Sequence, residues 1–206
     1  IQLDRFDATS LELITSSQMR FMETMWANFE NPLLVSFSSR GEKVAIRNAL
    51  SNILVYDVLS GDLIKDLAND YTVQGQALSP DGNTLAYATT KRPYIEIYDL
   101  LGDRLLTTLK GHNMVLYQMS FSPDGKRLIS SSIGNSPLIL WDTKKWSQVA
   151  SLPISPGSVN PVARFSQSSD NLIIYESLLD SKTQNVRILR APSLAEIKNY
   201  KKATSQ

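Results

Sequence analysis

The sequence predicts an all-β chain of repeated four-stranded antiparallel sheets, and three observations support this fold class. Short apolar runs rich in Val, Ile, Leu, Tyr and Phe recur along the 206 residues, as expected of strands packed on both faces. A motif that ends in an aromatic residue and Asp recurs once per unit, and a Ser-Pro-Asp-Gly type of turn recurs between these motifs. Repeats of roughly 40–45 residues with four strands each are typical of β-propeller blades.

The apolar–aromatic–Asp motif sets the period. It reads DRFDATSLELI, LVYDVLSGDLI, EIYDLLGDRLL and ILWDTKKWSQV, and a degenerate fifth copy reads VRILRAPSLAEI. Its anchor residues lie 50, 42, 43 and 48 residues apart and are Asp7, Asp57, Asp99, Asp142 and Arg190. These intervals fit propeller blades that carry loop insertions.

The turn motif joins the first two strands of each unit. It reads SFSSRGEKVAI, ALSPDGNTLAY, SFSPDGKRLIS and RFSQSSDNLII in the four successive copies. In the second and third copies, Pro fixes φ, Asp caps its own backbone and Gly supplies a positive φ. These residues are Pro80, Asp81 and Gly82, and Pro123, Asp124 and Gly125. Two strands joined by such a turn form an antiparallel hairpin.

Each element then follows in order along the chain. Residues 1–17 hold the last two strands of a preceding blade, and residues 18–30 are an irregular or helical insertion. In this insertion Met and aromatic residues recur at helical spacing, which fits a helix packed on the propeller, a helix that grips a partner, or a distorted outer strand. Packing into the core is the favoured alternative. The remaining elements of this single propeller domain are four blades at about 31–70, 71–110, 111–155 and 156–203, and a tail at 204–206.

Four and a half units predict an incomplete ring, because a usual ring has about seven or eight blades. An open ring exposes edge strands and apolar blade faces at its ends. The chain is then a fragment of a larger propeller, or one half of a homodimer that closes the ring, or a subunit whose ends are covered by partners. We expect the first, because residues 1–17 begin inside a blade.

The third unit resembles the Trp-Asp (WD) repeat family of β-propellers. It carries Gly111–His112, the turn FSPDG and Trp141–Asp142. The second unit has Tyr98–Asp99 instead and lacks Gly-His, while the first and fourth units follow only the period. TolB-like and YVTN-type periplasmic propellers share the Ser-Pro-Asp-Gly turn. Such a propeller, binding a small ligand or an envelope partner, is therefore the alternative to a WD-repeat scaffold or sensor domain.

The resemblance implies a hydrogen-bonded chain of His, Ser or Thr, Asp and Trp that holds a blade together. The matching positions of the third unit are His112, Ser131 or Ser132, Asn135 and Trp141. Asn135 stands where the family has Asp, and a neutral amide cannot hold an imidazolium, so we expect a weaker network. We assign His112 a structural role, because a buried Trp needs a partner for its N–H group.

The resemblance also implies a protein-binding surface, where the loops between second and third strands and between blades gather on one face. Aromatic and Arg side chains are frequent anchors of such surfaces. The residues expected on this face are Gln74, Lys91, Arg92, Tyr94, Asn113 and Tyr117.

Composition argues against catalysis. The chain has no Cys and a single His, so His112 alone could serve a nucleophile. Neither a Gly-x-Ser-x-Gly elbow nor a phosphate-binding Gly-rich loop occurs. We expect no enzyme activity, no catalytic residue, no metal site and no cofactor.

Net charge and hydropathy indicate which classes of partner to expect. Twenty-one basic and 20 acidic residues give a net charge of +1, which creates no global attraction to nucleic acid or anionic lipid. The sequence contains no run of roughly eighteen apolar residues, so we expect no membrane-spanning helix. We expect protein partners or the remaining blades of a propeller, no nucleic acid and no membrane. The absence of cysteine fits a cytoplasmic location.

Overall fold

The computed structural model describes the part of the chain that carries the repeats. The described residues are 2–6, 13–18, 34–48, 50–67, 71–179 and 184–190. Within them the chain forms five antiparallel sheets and no helix. The predicted all-β class and the four-stranded antiparallel blade are confirmed. The insertion predicted at residues 18–30, apart from Gln18, and the tail predicted at 204–206 lie outside the described residues.

The strands follow one another as neighbours within each sheet. They are β1 Gln2–Phe6, β2 Leu13–Gln18, β3 Val35–Phe37, β4 Lys43–Arg47, β5 Ile53–Asp57, β6 Leu63–Leu67, β7 Val73–Leu78, β8 Thr84–Thr89, β9 Tyr94–Asp99, β10 Arg104–Lys110, β11 Leu116–Phe121, β12 Arg127–Ser132, β13 Leu138–Asp142, β14 Ser147–Leu152, β15 Ser158–Phe165, β16 Asn171–Leu178 and β17 Gln184–Arg190. Strands β1 and β2 form a hairpin, and β3–β6, β7–β10 and β11–β14 form three complete blades. The fourth blade shows β15–β17, and its predicted last strand lies outside the described residues.

The blades stack side by side through their first strands. Strand β7 contacts β3 on one side and β11 on the other, and β11 in turn contacts β15. These four innermost strands surround the channel of an incomplete ring. The last strands β6, β10 and β14 are largely exposed, as the outer edge of a propeller must be.

Three apolar clusters fill the spaces between blades. One cluster joins Ala45 and Val55 of the first blade to Leu85 of the second. The next joins the second blade to Leu128 and Trp141 of the third, and the last joins the third blade to the fourth. Side chains alternate along every strand, so each blade has one face for the preceding blade and another for the following one.

Two glutamine side chains fasten neighbouring blades by bonding to backbone. The amide of Gln76 donates to the carbonyl oxygens of Leu34 and Ala45 in the first blade, at 3.0 and 2.9 Å. The amide oxygen of Gln118 accepts from the N–H of Ala163 in the fourth blade at 3.1 Å. These side-chain bonds tie the second blade to the first and the fourth blade to the third.

The two Ser-Pro-Asp-Gly turns have the same geometry. The Asp81 carboxylate accepts from the N–H of Asn83 and the hydroxyl of Ser79, and Gly82 has a φ of 69°. Asp124 accepts likewise from Lys126 and Ser122. Partial burial opposes ionisation of Asp81, but the hydrogen bonds outweigh it and lower its pKa. The turns therefore need the carboxylate as a structural acceptor.

Candidate functional site

One serine joins His112 to Trp141 in the third blade. The indole N–H of Trp141 donates to the Ser130 hydroxyl at 2.8 Å, and Nε2 of His112 lies 2.7 Å from the same oxygen. Gly111 packs against this indole, since a Cβ at residue 111 would lie 3.1 Å from its ring. Burial lowers the pKa of His112 to about 4, so the imidazole is neutral at pH 7. This neutral, buried histidine has a structural place between the second and third blades.

The prediction of Ser131 or Ser132 for this network was wrong, because Ser130 makes both hydrogen bonds. Strand β12 alternates, so Ser130 faces Trp141 whereas Ser131 faces the opposite side of the sheet. The hydroxyls of Ser131 and Ser132 are buried with no hydrogen-bond partner among the described residues. Asn135 is exposed in the loop before β13 and has no described bond to His112. The described network is therefore His112, Ser130 and Trp141.

Three of the predicted interaction residues, Gln74, Asn113 and Tyr117, lie at or just before the beginnings of inner strands. Gln74 and Tyr117 occupy equivalent β-bulges, at the irregular pairings of β7 with β8 and of β11 with β12. The two bulges adjoin, because a Cβ at Gly75 would lie 3.3 Å from the carbonyl oxygen of Tyr117. Bulges re-aim side chains at the rims of such folds. Tyr117 is 44% exposed at this rim, and Asn113 is exposed in the loop before β11.

Lys91, Arg92 and Tyr94 come together in one pocket at the edge of the second blade. The pocket has a volume of about 350 Å³, and Lys110 and Glu96 also line it. The ammonium of Lys110 lies 5.2 Å from the centre of the Tyr94 ring. Three cations and one carboxylate make this pocket positive, and we call it the cationic pocket.

Sequence reasoning missed two residues of this region. Lys110 is paired with Tyr94 in the register of β10 and β9, so pairing the fourth strand with the third would have found it. The ammonium of Lys91 lies 4.7 Å from the centre of the Tyr71 ring. Tyr71 is an aromatic residue in a loop between blades, which is the signal that singled out the other candidates.

The fourth blade presents an apolar face that no described sheet covers. Ile173 and Ile188 are paired across β16 and β17 and are 40% and 68% exposed. Tyr175 and Val186 form the adjacent pair and are exposed as well. Four large apolar side chains thus lie together on one sheet face, which we call the open blade face.

The same positions are buried in the preceding blades. The pair Ile129 and Leu140 of the third blade corresponds to Ile173 and Ile188, and it packs against the fourth blade. The pair Ala86 and Ile97 plays this role in the second blade and packs against the third. The open blade face therefore resembles the surfaces through which the preceding blades contact one another, but no described blade covers it.

No group of three or more acidic, His or Cys side chains among the described residues could hold a metal ion. No helix in the described part of the chain is long and apolar enough to cross a membrane.

The stacked four-stranded blades define a β-propeller, and comparisons with known proteins agree with this class. The chain resembles hydrazine synthase of Kuenenia stuttgartiensis with a TM-score of 0.65 and 17% identity, over 76% of this chain and 45% of that one. At this identity the likeness shows the fold alone. No protein-family model matches the chain.

Relatives by sequence are WD-repeat proteins. The chain is 30% identical over 111 residues to WD repeat and SOCS box-containing protein 1 of Xenopus tropicalis, and 29% identical over 112 residues to the human protein of that name. It is 35% identical over 75 residues to the human intraflagellar transport protein 122 homolog. These matches cover 52%, 52% and 36% of this chain, but only 26%, 26% and 6% of the relatives. They confirm the resemblance to WD-repeat propellers.

Proposed function

We propose that this chain is part of a non-enzymatic WD-repeat propeller, which serves as a protein-interaction scaffold or sensor domain in a larger assembly. The similarity to WD-repeat proteins supports this function over a periplasmic ligand-binding propeller. The single observation that carries it is the open blade face. A patch of four exposed apolar side chains marks a contact surface for another protein.

In this proposal a further propeller blade from a partner chain covers the open blade face, as each described blade covers the one before it. The fourth blade offers the third a surface of Ala163, Leu172 and Ile174, and a following blade would offer a similar apolar surface to Ile173 and Ile188. The flanking residue Arg164 is paired with Ile173 and favours a partner that is acidic at this edge.

Dye binding tests whether the face is uncovered. The wild-type chain should bind the apolar dye ANS, and the double variant Ile173→Lys/Ile188→Lys should lose most of this fluorescence. The matched control is Leu101→Lys/Leu105→Lys, because these leucines are 73% and 50% exposed at the end of the second blade. Equal fluorescence from all three proteins would refute a special role for the open blade face.

The cationic pocket supplies a second contact, for an acidic segment of a protein partner. Lys91, Arg92 and Lys110 surround it, and Tyr94 offers a ring to the same segment. Arg binds carboxylates through two parallel hydrogen bonds, so Arg92 is the expected anchor. The other predicted rim residues, Gln74, Asn113 and Tyr117, remain proposed contacts of this face.

A capped hexaglutamate peptide with a fluorescent label is the probe for this pocket. Anisotropy should show binding that weakens about tenfold or more in Arg92→Glu. Arg40→Glu is the control, because the Arg40 side chain is 84% exposed in a turn at the opposite face. Equal loss in both variants would indicate a general charge effect and would refute the pocket.

Location and further partners stay predictions from composition. We place the assembly in the cytoplasm and expect neither nucleic acid nor membrane as a partner. No cofactor enters this function.

A further inference from the structure

A cavity of about 300 Å³ lies between the inner strands, on the side of the channel away from the cationic pocket. Residues of β3, β7, β11 and β15 line it, together with the turns that follow these strands. It lies apart from the cationic pocket and shares Arg164 with the edge of the open blade face.

One set of equivalent positions lines this cavity in all four blades. These residues lie on the first strand of each blade and are Ser36, Ala77, Ser120 and Arg164. Their partners on the second strands are Ala45, Ala86, Ile129 and Ile173, respectively. Three blades place a small side chain there, which leaves space in the channel. The fourth blade places a guanidinium there. A long cationic side chain at a position where the other three blades have small side chains suggests a specific role for Arg164.

Among the described residues, the guanidinium of Arg164 has few groups to bind. Its described hydrogen bond runs to the carbonyl oxygen of Ala163 at 3.3 Å, and no described carboxylate forms a salt bridge with it. None of the described residues that line the cavity is Asp or Glu. Arg164 is exposed as a residue, but partial desolvation of its guanidinium lowers its pKa, and no described carboxylate offsets this effect. A partly desolvated cation without a counter-ion favours an anion beside it.

A neutral donor lies in the wall of the same cavity. The Ser36 hydroxyl is buried and has no hydrogen-bond partner among the described residues. The Ser120 hydroxyl has only a long bond of 3.3 Å to the carbonyl oxygen of Phe121. Hydroxyl groups in such a setting gain a full hydrogen bond when an oxyanion enters.

We propose that this channel cavity binds a small oxyanion, a phosphate- or carboxylate-bearing molecule, with Arg164 as its charged contact and Ser36 as a neutral donor. The guanidinium suits both groups because it can donate two parallel hydrogen bonds to either. Arg164 belongs to the fourth blade and Ser36 to the first, so the bound anion would connect the two ends of the described ring.

Inorganic phosphate and citrate are the two probes, and they distinguish a phosphate-bearing ligand from a carboxylate-bearing one. Each is titrated at an ionic strength held constant with sodium chloride. The Nε–Hε resonance of Arg164 should shift and saturate with at least one of them. Saturation with phosphate alone would assign a phosphate-bearing ligand, and saturation with citrate alone a carboxylate-bearing one. Saturation with neither would overturn the proposal.

Variants then locate the site. Calorimetric affinity should fall about tenfold or more in Arg164→Gln and less in Arg164→Lys, which keeps the charge without the fork of donors. Ser36→Ala should weaken binding by a smaller factor. The control Arg104→Gln removes an exposed cation from the outer strand β10 and should bind like wild type. Unchanged affinity in Arg164→Gln would overturn the assignment, and matching near-ultraviolet circular dichroism would show that the variants fold.

Discussion

Ile129 and Ile173 occupy the same position in successive blades, but Ile129 is 1% exposed and Ile173 is 40% exposed. Each lies on the second strand of its blade and faces the side of the following blade. The fourth blade covers Ile129, while no described sheet covers Ile173. The comparison identifies the end of the ring at which the fold is open.

Lysine at these two positions should therefore have opposite consequences. Ile129→Lys buries an unpaired ammonium between blades and should lower the free energy of unfolding by about 4 kcal/mol or more. Ile173→Lys should change it by no more than about 0.5 kcal/mol, because the side chain reaches water. Urea denaturation followed by circular dichroism measures both values. Similar losses would show that Ile173 is covered in solution.

The serine in the His112–Trp141 network is open to a direct test. Ser130→Ala leaves the Trp141 N–H buried without an acceptor, so the free energy of unfolding should fall by about 1–3 kcal/mol. Ser131→Ala should be nearly neutral, because its hydroxyl has no described partner. Urea denaturation of the two variants is the measurement, and a larger loss in Ser131→Ala would contradict the register of β12.

The buried histidine should make stability depend on pH. Its pKa is about 4 in the folded chain and near 6.5 in the unfolded chain, because burial disfavours the imidazolium. As pH falls below about 6.5 the unfolded state binds the proton first, so stability declines until the folded pKa is reached. Between about pH 7.5 and pH 5, wild type should lose about 2 kcal/mol more than His112→Gln. Parallel pH profiles of the two proteins would refute a buried, neutral His112.

An ion pair in the fourth blade joins a buried carboxylate to a half-buried guanidinium. The carboxylate of Glu176 is fully buried and accepts from Arg187 at 2.8 Å and from the N–H and hydroxyl of Ser155. Glu176→Ala leaves the Ser155 donors without this acceptor, while Arg187 keeps its bond to the Pro153 carbonyl oxygen, so the change should cost about 1–3 kcal/mol. Glu42→Ala removes an exposed partner of Arg40 and should cost less than about 0.5 kcal/mol. Thermal and urea unfolding compare the two, and equal effects would argue against a buried carboxylate at residue 176.

Much of the fold could be predicted because its signals are local. The turn residues Asp81 and Asp124 act on their own backbone, and the Gly-His and Trp-Asp pairs lie at fixed distances along the chain. The resemblance to WD-repeat propellers placed Lys91, Arg92 and Tyr94 on one loop face, and the structure has these three residues lining one pocket. Their role in binding a partner stays a prediction.

The remaining features depend on register and on contacts between distant blades. A one-residue change in register exchanges Ser130 for Ser131, and the repeat pattern alone does not fix that choice. Arg164 follows Ala163 in an ordinary apolar strand, so nothing local indicates that it lines the channel. The exposure of Ile173 likewise depends on which blade follows, which is a property of the whole assembly.

Solution mass tests the central claim, an uncovered blade face at one end of the ring, most directly. Light scattering behind a sizing column should be run on wild type and on Ile173→Lys/Ile188→Lys over a range of concentrations. We predict a wild-type mass that exceeds 23.0 kDa and rises with concentration, while the double variant stays at 23.0 kDa. A discrete wild-type dimer would replace the partner blade with a second copy of the chain. Wild type that remains a 23.0 kDa monomer at every concentration would contradict the uncovered face.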